Sequence, residues 1–426
     1  MNRLRIRTRS AIVLVAVLPL FAAGCAGPGG EPGGHAASTA TAYEGARLID
    51  GNGGVVEDAV FVVDGGKFVA VGAAADVEVP DGAERVDLSG KTVIPALIDS
   101  HVHLSQTGEG VMEDLDRRAY FGIAGAVSLG LDGDEAPLDM RSEHLYRSAG
   151  RGITSPEEGR SEVPHWVTTE EEARQAVRDE AARNVDIIKI WVDDRGGQYE
   201  RLSPELYGAV IDEAHQNDIR VVAHIFRLED AKGLLEAGID GFAHGVRDQD
   251  VDDEFVSMIK ARPNVVYIPN MPGRGVPTEL GWLDGSMTAD EIAAIAERNV
   301  ENAEAAESFG IQARNLKRLA EEGVTISLGT DGNRPWAPHV EMEDMVASGM
   351  SPADVLIAST KNAAEQSDFP DVGSVAVGKS ADFVVLDANP LDDITNTRKI
   401  SAVHLKGEEV DRAALSARFT AATSSE

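Results

Sequence analysis

A chain of 426 residues, 43% of them hydrophobic, can bury a core of barrel size beside a smaller domain. Its 39 Lys and Arg against 72 Asp and Glu give a formal net charge of −33, which repels nucleic acid and anionic lipid surfaces and argues against both as partners. The acidity reads as a solubility device suited to a salty habitat, and the single cysteine rules out an intrachain disulfide.

The N-terminus reads as an export signal. Arg3, Arg5, Arg7 and Arg9 form a basic start, and Ala11–Ala23 an apolar segment too short to span a bilayer comfortably. Ala22-Ala23-Gly24 before Cys25 resembles a bacterial lipoprotein cleavage box, with alanine at 22 where such boxes usually carry leucine. The resemblance implies a signal over 1–24, lipidation of Cys25 and a place in the cell envelope, membrane contact being through that anchor alone; a secreted or periplasmic protein is the alternative. Residues 25–42, rich in Gly, Pro, Ser, Thr and Ala, read as a flexible tether.

From Ala46 to Leu88, short β-prone runs such as VFVVDGGKFVAVG alternate with Gly, Asp and Pro. The same texture returns in ADFVVLDANP and ISAVHLKGEEV. One small β-sandwich domain built from both chain ends, 43–92 and 371–412, is therefore expected, with 413–426 as a tail.

Between them, over 93–370, strands alternate with helices. The strand candidates are Val93–His103, Gly122–Leu129, Asp186–Val192, Ile219–Ile225, Gly241–Val246, Val265–Pro269 and Thr325–Asp331. Thr168 to Glu171 reads as a capping box, and Ser203-Pro204 and Ser351-Pro352 as an N-cap followed by proline at the first helical position. This alternation predicts an α/β fold, a (β/α)8 TIM barrel. A doubly wound open sheet is the alternative, weakened because no GxGxxG follows the first strand.

In a barrel the active site lies at the C-terminal ends of the strands. The polar residues closing the apolar runs are His101 and His103, Lys189, His224, His244 and Asp331. Positions i and i+2 of a strand share a face, so His101 and His103 project together as two prongs for a metal. Lys189 interrupts VDIIKIWVDD, where a desolvated ammonium costs several kcal/mol or gives up its proton. Its structural alternative is an ion pair with Asp193 or Asp194. Any one such ending is more often a satisfied strand-end residue than a ligand; six together are a constellation.

These residues resemble the amidohydrolase superfamily, whose pattern is His-x-His on strand 1, a carboxylated Lys on strand 4, His on strands 5 and 6, and Asp on strand 8. The likeness runs from about Ala46 to Val410, and the IKI lysine and the HVEME stretch look most like imidazolonepropionase-related, prolidase-like members. The resemblance implies two divalent ions, zinc by preference: His101, His103 and Asp331 on one, His224 and His244 on the other, carboxylated Lys189 bridging. It also implies that a hydroxide shared by the ions attacks a carbonyl polarised at the His224 and His244 ion, while Asp331 takes the proton and returns it to the leaving nitrogen. Asp331 and His244 are thus the catalytic candidates. His224 is followed by Ile225-Phe226-Arg227, without the glutamate that mononuclear deaminases carry three residues on.

The expected reaction is metal-dependent hydrolysis of an amide or peptide-like C–N bond in a small molecule such as an N-acyl amino acid or dipeptide. An esterase, lactonase or phosphotriesterase on the same metal pair is the alternative enzyme, and an exported solute-binding lipoprotein the non-enzyme alternative. Arg247 could bind a substrate carboxylate bidentately or pair with Asp248 or Asp250. Tyr267 and His339 are further substrate-binding candidates. The oligomeric state is not encoded in any pattern found.

Overall fold

The structure, a computed structural model, describes residues 40–140 and 144–421. The expected signal, Cys25 and nearly all of the tether lie outside those residues. Among the described residues no helix is long and apolar enough to cross a membrane.

Both chain ends meet in one sheet. Phe383–Leu386 pairs antiparallel with Thr92–Pro95 on one side and Ile400–Leu405 on the other, and Thr92–Pro95 in turn pairs with Thr41–Ile49. The strand Thr41–Ile49 changes partner along its length, its first half lying against Glu84–Asp87 and its second against Thr92–Pro95. The register shift between these halves falls at Gly45, whose φ of +83° a side chain would strain. Tyr43, Phe61, Phe68 and Phe383 fill the core of this sheet, and His404 stacks on Phe383 with ring centroids 4.4 Å apart. The expected tail begins as the helix Arg412–Thr420, tied down by Arg418 to Glu113 and Asp116.

The expected run Val93–His103 is two strands. Thr92–Pro95 belongs to the terminal sheet, and after Ala96 the strand Leu97–Val102 joins a parallel set with Ile123–Ser128 and Leu145–Ser148. A second parallel set runs Ile153–Thr154, Ile187–Trp191, Arg220–His224, Gly241–Ala243, Val266–Ile268 and Thr325–Ile326. Ser100 N donates to Leu328 O at 3.1 Å and Thr330 N to His101 O at 3.1 Å, joining the last strand of the second set to the first strand of the other.

Alternation along the strands sorts two cores. Ile187, Val222, Ala243, Ile98 and Val127 pack together, with Ala363, Ala364 and Phe369 beneath them. Ile188, Ile190, Val221 and Ala223 face the opposite way and pack with the helices. The helices start where predicted: Ser203 and Ser351 cap Pro204–Gln216 and Pro352–Ser359. The capping box of Glu170–Ala182 sits one residue later than expected, between Thr169 and Glu172, because the Thr169 hydroxyl is the one that receives the amide of Glu172.

Candidate active site

Strand register gathers the six polar endings. Lys189 lies beside Val222, Trp191 beside His224, and His224 beside Ala243, so Lys189, His224 and His244 reach one end of the parallel strands. Lys189 and His224 are each two residues beyond an inner-core residue, Ile187 and Val222, and therefore share that face. His101 enters from Leu97–Val102. Asp331 follows the last strand, with its amide on His101 O at 2.8 Å.

The side chains converge. Asp331 Oδ1 lies 2.9 Å from His103 Nε2 and 3.3 Å from His101 Nε2, and Asp331 Oδ2 lies 3.3 Å from His244 Nε2. Lys189 Nζ is 3.2 Å from His101 Nε2 and fully buried. The expected alternative for Lys189, a pair with Asp193 or Asp194, is not what the fold builds. Asp193 turns to Arg195 and His224, and Asp194 to Arg227 and Arg201.

Room for Lys189 depends on a glycine: a Cβ at Gly130, φ +92°, would meet the Lys189 Cγ at 2.8 Å and the Trp191 ring at 2.6 Å. Gly329 does the same for His101, whose Cβ stands 2.7 Å from where another would be.

Burial pushes His101 and His244 well below the ordinary imidazole value, and brings His224 to about 4, so all three are neutral with lone pairs available. Burial likewise lowers the Lys189 ammonium to about 7, partly offset by Asp331. Burial opposes the charge of Asp331, yet His101, His244 and His103 hold its carboxyl below the usual range.

The set fits a divalent metal. His101, His244 and Asp331 offer ligand atoms within 4.8 Å of one another, and His244 Nε2 is buried with no hydrogen-bond partner among the described residues. Ligands held 2.0–2.2 Å from a tetrahedral ion stand about 3.3 Å apart, which matches the 3.3 Å between His101 Nε2 and Asp331 Oδ1.

Second contacts fix these side chains. Asn270 Oδ1 lies 2.9 Å from His101 Nδ1 and accepts the His244 amide at 3.0 Å. Asp99 accepts from the Thr330 amide and hydroxyl, and Arg118 donates to Gly332 O and Asn333 Oδ1, bracketing Asp331 at its φ of +53°. Asn270, Asp99 and Arg118 were not among the sequence candidates.

The three substrate candidates separate. Arg247 stands over the Phe226 ring at 3.4 Å, within the field of Asp193 and Asp331, and its buried Nε has no hydrogen-bond partner among the described residues. Neither expected ion pair forms, since Asp248 caps the amide of Leu228 and Asp250 pairs with Arg314. Tyr267 is instead a core residue: it faces the helices and its hydroxyl accepts the Val246 amide at 3.0 Å. His339 is also structural, lying 2.9 Å from Phe121 O and 3.0 Å from Thr397 Oγ1 inside the helix Ala337–Ala347.

An amidohydrolase family model matches residues 92–410. Imidazolonepropionase of Streptomyces avermitilis is 25% identical over 364 residues, covering 79% of this chain and 82% of its own. A Bifidobacterium longum protein provisionally assigned as a prolidase is similar in structure at a TM-score of 0.70 and 27% identity, covering 89% of this chain and 98% of that one. A Xaa-Pro dipeptidase with methionine bound in its active site shares the fold at a TM-score of 0.69 and 21% identity, over 87% of this chain and 99% of its own. With this strand-end cluster, a buried lysine and a family match across most of its length, the chain belongs to the amidohydrolase family and is a hydrolase.

Proposed function

We propose that the protein hydrolyses an amide or peptide-like bond of a small molecule carrying a free carboxylate, such as an N-acyl amino acid or dipeptide. The observation that carries this reading is Lys189 Nζ buried 3.2 Å from His101 Nε2, in a pocket of neutral imidazoles around one carboxylate. His101, His103 and Asp331 would hold one divalent ion and His224 and His244 a second, with Lys189 between them as a carbamate. A neutral Lys189 amine can take up carbon dioxide with loss of one proton, turning an uncharged group into an anion with two oxygens. Bound divalent ions would supply an acidified water and a charge that polarises the scissile carbonyl.

The chain's own groups do the rest. Asp331, ionised and placed between His101, His103 and His244, accepts the proton of the attacking water and returns it to the leaving nitrogen. His244, held by Asn270, keeps its Nε2 directed at Asp331. Phe226 packs against both His224 and His244 and shields them from bulk water, and Arg247, over the Phe226 ring, meets the substrate carboxylate. The imidazolonepropionase and prolidase-type relatives support C–N cleavage.

We also read the two parallel sets as one closed (β/α)8 barrel, with Leu145–Ser148 and Ile153–Thr154 as two pieces of its third strand, supported by the bonds from Ser100 to Leu328 and from Thr330 to His101. The sequence supports export with a lipid on Cys25, which mass spectrometry of the membrane fraction checks. For the activity, purified protein is offered N-acyl amino acids, dipeptides, lactones and aryl phosphates. Amide hydrolysis that a chelator removes and zinc restores supports the proposal; turnover of esters or phosphates alone transfers it to the esterase reading.

A further inference from the structure

Outside the six strand-end residues, one more carboxylate reaches the site. Asp193 Oδ2 lies 3.2 Å from His224 Nε2, and Arg195 Nη1 lies 3.2 Å from the same nitrogen. Arg195 Nη1 also donates to Asp193 Oδ2 at 2.8 Å. An imidazole nitrogen can donate to the carboxylate or accept from the guanidinium, but not both at once. The three atoms instead resemble two ligands around a cation, and the cation is an arginine.

The spacing agrees. His224 Nε2 and Asp193 Oδ2 are 3.2 Å apart, close to the separation of about 3.3 Å for two ligands of one tetrahedral ion. The same spacing joins His101 to Asp331, where no guanidinium intervenes. Burial opposes ionisation of Asp193, but His224 and Arg195 outweigh it. On its far side Arg195 Nε donates to Glu157 Oε1 at 2.9 Å, and Arg195 Nη2 is buried without a hydrogen-bond partner among the described residues. The guanidinium is therefore anchored at one corner by Glu157 and can turn away from Asp193 without losing that anchor.

We propose that Asp193 is a ligand of the ion held by His224, and that the Arg195 guanidinium competes with that ion for the seat between them. This rests on the metal-centre reading above. The ligand is a divalent transition ion, and its second equivalent binds more weakly than the first because Arg195 must be displaced. Occupancy at His224, and with it full activity, then follows the supply of free metal, while the ion at His101, His103 and Asp331 stays bound.

The test is zinc titration of chelator-stripped protein against a chromophoric indicator, for wild type, Arg195→Met, Asp193→Asn and Arg247→Met. Arg195→Met should tighten the second equivalent by about tenfold or more and leave the first unchanged, and Asp193→Asn should weaken the second by about 10–100-fold. Arg247→Met removes a positive charge from the field of Asp193 and Asp331 without vacating the seat, so it should shift the second equivalent far less than Arg195→Met. Equal shifts in the two arginine variants overturn the competition. If Arg195→Met does not fold, Arg195→Gln should show the same tightening. A crystal structure of the zinc-loaded protein should show Asp193 on the ion and Arg195 turned away; Asp193 still on Arg195 beside a loaded His224 refutes the ligand assignment. Failure of wild type to take up even one equivalent would instead defeat the metal-centre reading itself.

Discussion

The mouth of the parallel strands around His244 and the seam between helix Ala337–Ala347 and the chain's C-terminal part around His339 look alike by burial. Each histidine is almost wholly inaccessible, and burial pushes each below the ordinary imidazole value. Their valences differ. Both nitrogens of His339 are engaged, one by Phe121 O and one by Thr397 Oγ1, whereas His244 Nε2 meets only a carboxylate at 3.3 Å and has no hydrogen bond among the described residues. A buried imidazole is thus a structural part when its polar atoms are satisfied by the fold, and a candidate ligand when the fold leaves one unpartnered. Substitutions on each side can break or sharpen that contrast, and their effects on turnover should fall in the order that follows.

Lys189→Ala should have the largest effect, removing bound metal and activity together, as read by metal analysis and turnover on the same sample. Stripped wild type should recover faster with zinc and bicarbonate than with zinc alone, and acetate or propionate should partly rescue the alanine variant by placing a carboxylate in the vacated space. Full metal content with full activity in Lys189→Ala would leave Lys189 a core lysine and erase the contrast with satisfied buried groups. Asp331→Asn comes next: it keeps the shape and much of the metal but loses the proton acceptor, so kcat should fall by about 10²–10⁴-fold. Wild-type turnover in a metal-loaded Asp331→Asn protein would remove Asp331 from the chemistry.

How far the sequence showed this division is instructive. His101, His103, Lys189, His224, His244 and Asp331 were legible because each closes or interrupts an apolar run, and a parallel sheet aligns such endings at one edge. Asn270 obeys the same rule, closing VVYIPN, and was readable once Pro269 was not taken as the stop. Tyr267 was misplaced for a reason alternation could have given: it faces the helices with Phe242, opposite to the inner face. His339 misled because a polar letter in a helix says nothing about whether a carbonyl of residue 121 and a hydroxyl of residue 397 will meet it. The meeting of Asp193 and Arg195 at His224 was hidden for a similar reason. Arg195 has a φ of +52° and points back at His224 through a loop geometry that residue types alone do not specify. In the terminal sheet, the joining of both chain ends was visible as repeated β texture, but the split of Val93–His103 at Ala96 was not, since one apolar run serves two sheets.

Arg247 tests the contrast at the edge of the site. Its guanidinium on Phe226 lacks a carboxylate partner among the described residues, although burial lowers it only to about 10 and it stays charged. Arg247→Met should raise KM for carboxylate-bearing substrates by about tenfold, near 1.4 kcal/mol, with a smaller change in kcat. The same substrates with their carboxylate amidated should show no difference between wild type and variant; equal losses on both series would make Arg247 a packing residue.

His339→Leu should leave metal content and kcat unchanged and act on stability alone. At pH about 7 the variant loses two hydrogen bonds and leaves Phe121 O without this donor, while the Thr397 hydroxyl keeps Ile394 O at 2.9 Å, a cost of about 1–3 kcal/mol. The sign of the pH dependence follows from the imidazole lying at about 4 in the fold against 6.5 in the unfolded chain. Between those values the unfolded state binds the proton and the folded state does not, so wild type keeps the full contribution above 6.5 and loses it as the pH falls toward 4, by up to about 3 kcal/mol. The leucine variant has no such group. His101, His224 and His244 titrate in both proteins and cancel in the difference. Urea unfolding at pH about 7 and about 4.5 should therefore show the gap between wild type and His339→Leu shrinking on acidification. A gap that stays constant would mean that the imidazole is not held neutral by its surroundings, and that the buried seam at His339 is not the satisfied counterpart of the site.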